Sequence, residues 1–288
     1  MKNYGNALRS IRESKNMSLE SLSDSTVSKS SLSKFERGQI DLTFKKLIGV
    51  LNRLNVSFSE FDLIANNYNL DPNTWLHNSV KSAYESESLI TLNALAFHEK
   101  ENWEKTKNIQ HKLNFIMTQA LIHDIDKTEV NHEDLDFISN YLFDCEIWGR
   151  YELVLYGNTM SALSYEMMLS LSKELIRKAS FYKKVTSNYE TILNIITNTI
   201  IIALEKNDKK PSLFFLNFLN NENIPENFFL ERTIIMFVKG LAHIKYGDYN
   251  QGMDLCEKSI DIMKNIGSVS YYLKFNDYFQ KNIVQVSN

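Results

Sequence analysis

The sequence predicts an all-α protein in two parts, a small five-helix head followed by a larger helical body, and three observations carry that prediction. Nine Gly and three Pro in 288 residues are too few for the turns that strands and hairpins need, whereas Leu, Ile, Phe and Tyr are abundant. Apolar residues recur at helical spacing along most of the chain. Charge divides unevenly: residues 1 to 53 carry ten Lys or Arg against five Asp or Glu, so the overall charge of −3 combines a basic head with a net acidic body. Only the head suits a polyanion. The chain is too long for one such head, and the roughly 220 residues left over can bury a core of their own.

In the head, Tyr4, Leu8 and Ile11 form the apolar stripe of a first helix, and Ser18 caps a short second one from Leu19 to about Ser23. Ser28 is placed to cap a third helix that Gly38 closes. Within it Leu32 and Phe35 face one side, and Lys29, Ser30, Lys34 and Arg37 project away from them, the pattern of a helix held by its buried face with a polar, basic face left over for a DNA groove. Leu42, Phe44, Leu47, Ile48, Leu51 and Leu54, then Val56, Phe58 and Phe61, continue the helical pattern to about residue 64.

The run Leu-Ser-Lys-Phe-Glu-Arg-Gly, Leu32 to Gly38, resembles the end of the recognition helix in the phage-repressor (lambda-repressor-like) helix-turn-helix family. The resemblance places Lys29, Ser30 and Lys34 where base-edge contacts fall, with Ser28 and Arg37 nearer the phosphates. It also matches Arg12 and Glu36 to an internal salt bridge, which makes Glu36 structural. Arg9 and Lys15 are either phosphate contacts or solvated surface charges.

The head is expected over residues 1–64, a linker over 65–73, where Asn66, Asn67, Asn69, Asp71, Pro72 and Asn73 break the apolar rhythm, and the body over 74–288. Body helices are expected near 74–87, 88–100, 102–107, 109–124, 132–144, 147–156, 160–182, 186–206, 211–220, 226–246, 250–266 and 270–284. Paired helices at this period form a solenoid. The segment from Gly240 through Tyr246-Gly247-Asp248-Tyr249 to Gly252, Cys256 and Ile260 resembles a tetratricopeptide unit, with Gly247 easing the corner. A TPR-like α-solenoid is therefore expected behind the helix-turn-helix head.

The segment from Asn140 to Asn158, with its Tyr-Leu-Phe, Trp-Gly, Tyr-Glu and Gly-Asn pattern, is similar to the middle region of the Rgg (GadR/MutR) family of peptide-responsive regulators. The resemblance implies a homodimeric transcription factor, joined through residues 226–284, that binds an inverted-repeat promoter site and takes a short hydrophobic signalling peptide on its repeats, changing the spacing of the heads or the surface offered to RNA polymerase. It implies that Asn158 and Asn198 clamp the peptide backbone, for which an amide supplies both donor and acceptor. Asn194 shares the face of Asn198, and Arg150 is placed to meet a carboxylate. Local solvation or a helix-to-helix bond is the alternative for each Asn, and core packing is the alternative to pocket-lining for Tyr151, Phe181, Tyr182 and Phe237. A peptide-independent repressor or antitoxin-like regulator, and a repeat-based adaptor, share much of this sequence logic.

No catalytic constellation is present: the sequence has no phosphate-cradling glycine loop and no nucleophile elbow. His123 and His132, with the acids around them, fit no compact metal spacing and read as an inter-helix loop. No cofactor is expected. Cys145 and Cys256 read as reduced thiols, an intersubunit disulfide requiring an exposed position. No apolar run spans a bilayer and no cleavable signal opens the chain, so a cytoplasmic protein without membrane contact is expected.

Overall fold

The computed structural model describes residues 3–178 and 185–284. Among the described residues there are sixteen α-helices and no strand. The chain divides into two compact units, residues 1–85 and 86–288.

The first unit holds α1 (Tyr4–Ser14), α2 (Leu19–Leu22), α3 (Lys29–Glu36), α4 (Phe44–Leu54), α5 (Phe58–Ala65) and α6 (Pro72–Glu85). Serines open α2, α3 and α5: Ser18, Ser28 and Ser57 each accept a hydrogen bond from the backbone N–H three residues on, and Glu60 returns the favour to Ser57 in a full capping box. One core of Ala7, Leu8, Ile11, Leu22, Val27, Leu32, Phe35, Val50, Leu51, Leu54, Phe61 and Ala65 joins α1 to α5. Leu32 is fully buried, which stabilises the seating of α3 by about 2 kcal/mol. At Gly5 a Cβ would lie 2.3 Å from the Phe35 carbonyl oxygen, so only glycine lets α1 approach the end of α3 this closely. Gly38 closes α3 at φ +69°.

The stretch 65–73, expected as a linker, is a hydrogen-bonded turn rather than an extended tether. Asn66 Nδ2 donates to the Asn69 carbonyl at 2.7 Å, Asn69 Nδ2 to the Asn66 carbonyl at 3.0 Å, and Asp71 accepts from the Thr74 hydroxyl at 2.5 Å to start α6. The break in apolar rhythm is real, but amide side chains fill it with local bonds.

The second unit contains α7 (Leu89–Thr106), α8 (Ile109–Asp126), α9 (His132–Asp144), α10 (Arg150–Thr159), α11 (Tyr165–Lys178), α12 (Thr186–Glu205), α13 (Lys209–Asn221), α14 (Phe229–Tyr246), α15 (Tyr249–Asn265) and α16 (Val269–Phe279), which ends in a π-helical turn, Gln280–Val284. Neighbours in sequence pack as hairpins, α7 on α8, α12 on α13, α14 on α15. Helices two apart pack side by side: α8 on α10, α10 on α12 and α12 on α14 make one layer, and α9 on α11 belongs to the other. Two layers of this kind are a helical solenoid.

Two expectations about body elements change. Residues 88–100 and 102–107 are one helix, because Asn102 reaches back to His98 and Glu101 pairs with Lys105, so polar residues that looked like a break lie on an exposed helix face. The helix expected from 160 starts at Tyr165, after a turn in which the Ser164 hydroxyl accepts from the Met167 N–H.

The α14–α15 hairpin is held close by two facing glycines. A Cβ on Gly240 would lie 2.8 Å from the Gly252 carbonyl oxygen and 2.6 Å from Cys256 Sγ, and one on Gly252 would lie 2.7 Å from the Gly240 carbonyl oxygen. Gly247, expected to ease the corner, has φ −136° and is not left-handed, but a Cβ there would lie 3.0 Å from His243 Nδ1, so the corner is tight as well as the helix-to-helix contact. Among the described residues, no helix is long and apolar enough to cross a membrane.

Candidate DNA-reading helix and receptor face

α3 turns Leu32, Phe35 and Glu36 inward and leaves Lys29, Ser30, Lys34 and Arg37 exposed, as the spacing predicts. Its orientation is fixed by two ionic fastenings. Arg12 grips Glu36 with both branches of its guanidinium, Nε to Oε1 at 2.7 Å and Nη2 to Oε2 at 2.8 Å, while Nη1 donates to the Met17 carbonyl at 3.0 Å. The Arg12 and Glu36 side chains are 12% and 5% exposed, so this pair is structural. The hydrogen bond to Glu36 raises the Arg12 pKa further above its ordinary value.

The second fastening went unrecognised in the sequence. Asp24 Oδ1 accepts from the Thr26 N–H at 2.8 Å, the Thr26 hydroxyl at 2.7 Å and the Val27 N–H at 2.8 Å, while Oδ2 pairs with Arg53 of α4. These contacts shape the turn that delivers α3. They push the Asp24 carboxyl down to about 2, the Thr26 hydroxyl contributing most. An Asp two residues before a Thr was the available signal, an Asx-turn pattern.

The remaining head residues sort by their partners. Ser28 caps α3 through the Ser31 N–H at 3.1 Å, so its hydroxyl is engaged inside the helix. Lys29 pairs with Glu20 of α2 at 2.8 Å, both largely exposed. Arg37 Nε donates to the Ser33 carbonyl at 3.1 Å. Arg9 pairs with Glu13 one turn on, and Lys15 is exposed near Glu60, whose pKa it helps lower after the larger effect of the Ser57 hydrogen bonds. Thr43, which makes no side-chain cap bond, and the exposed Lys45 and Lys46 open α4 with a free basic end that the sequence reading passed over.

In the body, Asn158, Asn194, Asn198 and Arg150 fall on α10 and α12, adjacent members of the layer formed by α8, α10, α12 and α14. α12 is buried around most of its circumference; its open stripe runs through Glu190, Asn194, Asn198 and Ile201. Asn198 is exposed and Asn194 half-buried, and neither side chain has a hydrogen-bond partner among the described residues. Asn158 is half-buried and reaches Met117 Sδ at 3.5 Å, beside the point where Gly157 lets α10 approach Ile195 of α12. Arg150 is exposed at the start of α10.

The pattern from Asn140 to Asn158 turns out to be mainly structural. Tyr141 donates to Glu152 at 2.9 Å, and Glu152 also accepts from the Gly149 N–H at 2.9 Å. The buried indole of Trp148 donates to the Leu142 carbonyl at 2.9 Å, and Lys178, itself buried, donates to the carbonyls of Leu142 at 3.2 Å and Phe143 at 2.6 Å. Tyr151 donates to Asn114 at 3.0 Å, and Asn114 and His111 converge on buried Glu99, each at 2.9 Å. Tyr151 is thus tied into a network between α7, α8 and α10. Phe237 is fully buried, its ring 4.9 Å from that of Phe275, and is core rather than pocket wall. Phe181 and Tyr182 lie outside the described residues.

Cys256 is fully buried, and burial pushes its thiol up to about 12, which removes it from any intersubunit disulfide; Cys145 is half-buried with its thiol also raised by burial. Among the described residues no three His, Cys, Asp or Glu side chains converge on a metal position. His123 pairs instead with the Thr128 carbonyl. A cavity of about 150 Å³ between Leu204, Glu205, Leu241, Lys245, Tyr278 and Asn282 includes none of the predicted residues.

Residues 93–277 match the model of the C-terminal domain of the helix-turn-helix transcriptional regulator Rgg, and residues 8–61 match the helix-turn-helix model. The chain belongs to the Rgg family. It is accordingly a helix-turn-helix transcriptional regulator and not an enzyme. The pheromone receptor Rgg2 of Streptococcus dysgalactiae, a receptor for SHP, superposes with a TM-score of 0.82 at 25% identity, covering 97% of this chain and all of that one. A putative transcriptional regulator from Listeria monocytogenes EGD-e shares the fold at a TM-score of 0.87 and 17% identity over 99% of both chains. PrgX in complex with cCF10 shares it at 0.76 and 16% identity, over 98% of this chain and 92% of that one.

Proposed function

We propose that this Rgg-family regulator is a cytoplasmic homodimer that reads an inverted-repeat promoter site with two α3 helices and is controlled by a short hydrophobic peptide bound on the α8–α10–α12–α14 layer. Residues 1–64 are the DNA-reading part and the repeats beyond the turn at 65–73 the receptor and dimerisation part. Lys29, Ser30 and Lys34 contact base edges; Arg37, with Arg9, Lys15 and the Lys45–Lys46 end of α4, contacts phosphates. Ser28, the N-cap just before α3, lies nearer the phosphates. Asn158, Asn194 and Asn198 hold the peptide backbone, and Arg150 meets a carboxylate.

The observation that carries the peptide reading is the pair Asn194 and Asn198, polar, one turn apart and unbonded on a helix otherwise surrounded by core. Dimerisation is supported by the exposed Ile266, Val269 and Leu273 at the α15–α16 corner. Peptide binding then alters the spacing of the two heads or the surface that meets RNA polymerase.

The test is promoter occupancy with and without conditioned medium from the producing strain. Asn198→Ala is expected to abolish the response while leaving duplex binding unchanged. A normal response from that variant removes Asn198 from the clamp.

A further inference from the structure

α12 is flanked by α10 and α14 and backed by α11 and α13, so its open stripe through Asn194 and Asn198 faces away from the second layer. α14 is enclosed in the same way. α12 lies along one flank, and along the other the Phe237 ring meets Phe275 at 4.9 Å and Phe279 at 6.4 Å, both on α16. α13 and α15 lie behind, α15 drawn in by the Gly240–Gly252 contact. What remains open on α14 is one stripe, Arg232, Met236, Lys239 and His243, at helical spacing. It shares the receptor face with Asn194 and Asn198.

Two contacts set the register of these stripes. In the first turn of α12 the Tyr189 ring meets that of Phe228, just before α14, at 5.4 Å between centroids, and at the other end Lys245 Nζ donates to the Leu204 carbonyl. The two helices therefore run in the same direction, and Lys239 lies as far along the chain from Asn198, 41 residues, as Lys245 does from Leu204. Lys239 is level with Asn198. On the other side of α12, a Cβ on Gly157 would lie 3.3 Å from Ile195, which brings Asn158 within a turn of the same level. Asn158, Asn198 and Lys239 form a row across three adjacent helices, and Arg150, about two turns before Asn158 on α10, stands off it. At the end of the row the half-buried Lys239 ammonium has no ion pair and no hydrogen bond among the described residues; burial lowers its pKa and no carboxylate counters the effect. A buried charge left unpaired is costly. Resting on the peptide reading above, we propose that Lys239 receives a carboxylate of the bound peptide. Its source is the free C-terminus or an acidic side chain. Helix spacings of about 8–10 Å put Asn158 and Lys239 about 16–20 Å apart, the reach of about five or six extended residues, so the contact fixes the direction in which the peptide crosses the clamp.

The experiment uses the full chain, immobilised, and three synthetic heptapeptide pools randomised over Ile, Leu, Val, Phe and Gly: one with a free C-terminal carboxylate, one C-amidated, and one C-amidated with a single Glu. Retention is read by mass spectrometry. The free-carboxylate or the Glu pool is expected to be retained about tenfold better than the amidated, Glu-free pool. Which of the two is retained names the source. Lys239→Met is expected to lose that preference, whereas Asn198→Ala lowers all three pools alike. Lys239→Gln carries the test if the Met variant does not fold. Equal retention of the three pools, or a preference that survives in the Lys239 variants, including one that Arg150→Met abolishes instead, overturns the assignment and leaves the peptide reading standing. Retention of none overturns both.

Discussion

In the first unit the buried Glu36 is matched to Arg12 and the exposed Asp24 to the half-buried Arg53, while Lys34 and Arg37 keep their charge on the outside of α3. In the second unit, two charges on α14, Glu231 and Lys239, have no ion-pair partner among the described residues. Burial holds the Glu231 carboxyl above its ordinary range and pulls Lys239 below the ordinary lysine range. A rigid helix pushed into a groove requires its support to be complete beforehand, because DNA meets only the outer face. On the peptide-binding proposal, a face that takes a small ligand has its complement supplied from outside.

The largest effect that can break this comparison is at Arg12. Arg12→Met leaves Glu36 buried and unpaired and is expected to lower the stability of the chain by about 3–5 kcal/mol, read from denaturant melts; a loss below about 1 kcal/mol would place the pair with ordinary surface ion pairs. In the body, Gly240→Ala inserts a methyl group against the Gly252 carbonyl and is expected to cost about 1–3 kcal/mol and to lower the melting temperature without touching duplex affinity.

Lys34→Ala is expected to cost about 1–3 kcal/mol of binding to the operator with little change on random duplex. Arg37→Ala should weaken both equally and flatten the salt dependence by about one unit of slope. Equal losses for Lys34 on the two duplexes remove it from base readout. The smallest effect concerns Asp24. Its folded-state pKa lies below its unfolded value, so the stability it contributes is present above about pH 3.9 and is lost as pH falls through about 2. Asp24→Asn should flatten that limb of an acid-unfolding curve; an unchanged limb would mean that the turn before α3 does not depend on the charge.

Legibility in the sequence followed the range of the interaction. α3 and its caps were readable because Ser28, Leu32, Phe35 and Gly38 act within one or two turns of each other. The Arg12–Glu36 pair spans 24 residues and was reached only through family resemblance. The Gly240–Gly252 contact was invisible, since nothing local separates a glycine that admits a neighbouring helix from one that eases a corner, and Gly247 drew the attention. The Asn positions stood out as polar interruptions of an apolar helix, but Lys239 did not, because its place level with Asn198 exists only once α14 lies against α12.

The Leu142 carbonyl, which takes bonds from both Trp148 and Lys178, has a mechanical consequence. It rivets the end of α9, the loop before α10 and the tail of α11 into a single block. The layer that contains α9 and α11 is therefore expected to keep its packing at this point. Bending is left to seams without such a rivet, and a spin-label pair placed across α9 and α11 should report an unaltered separation while labels elsewhere move.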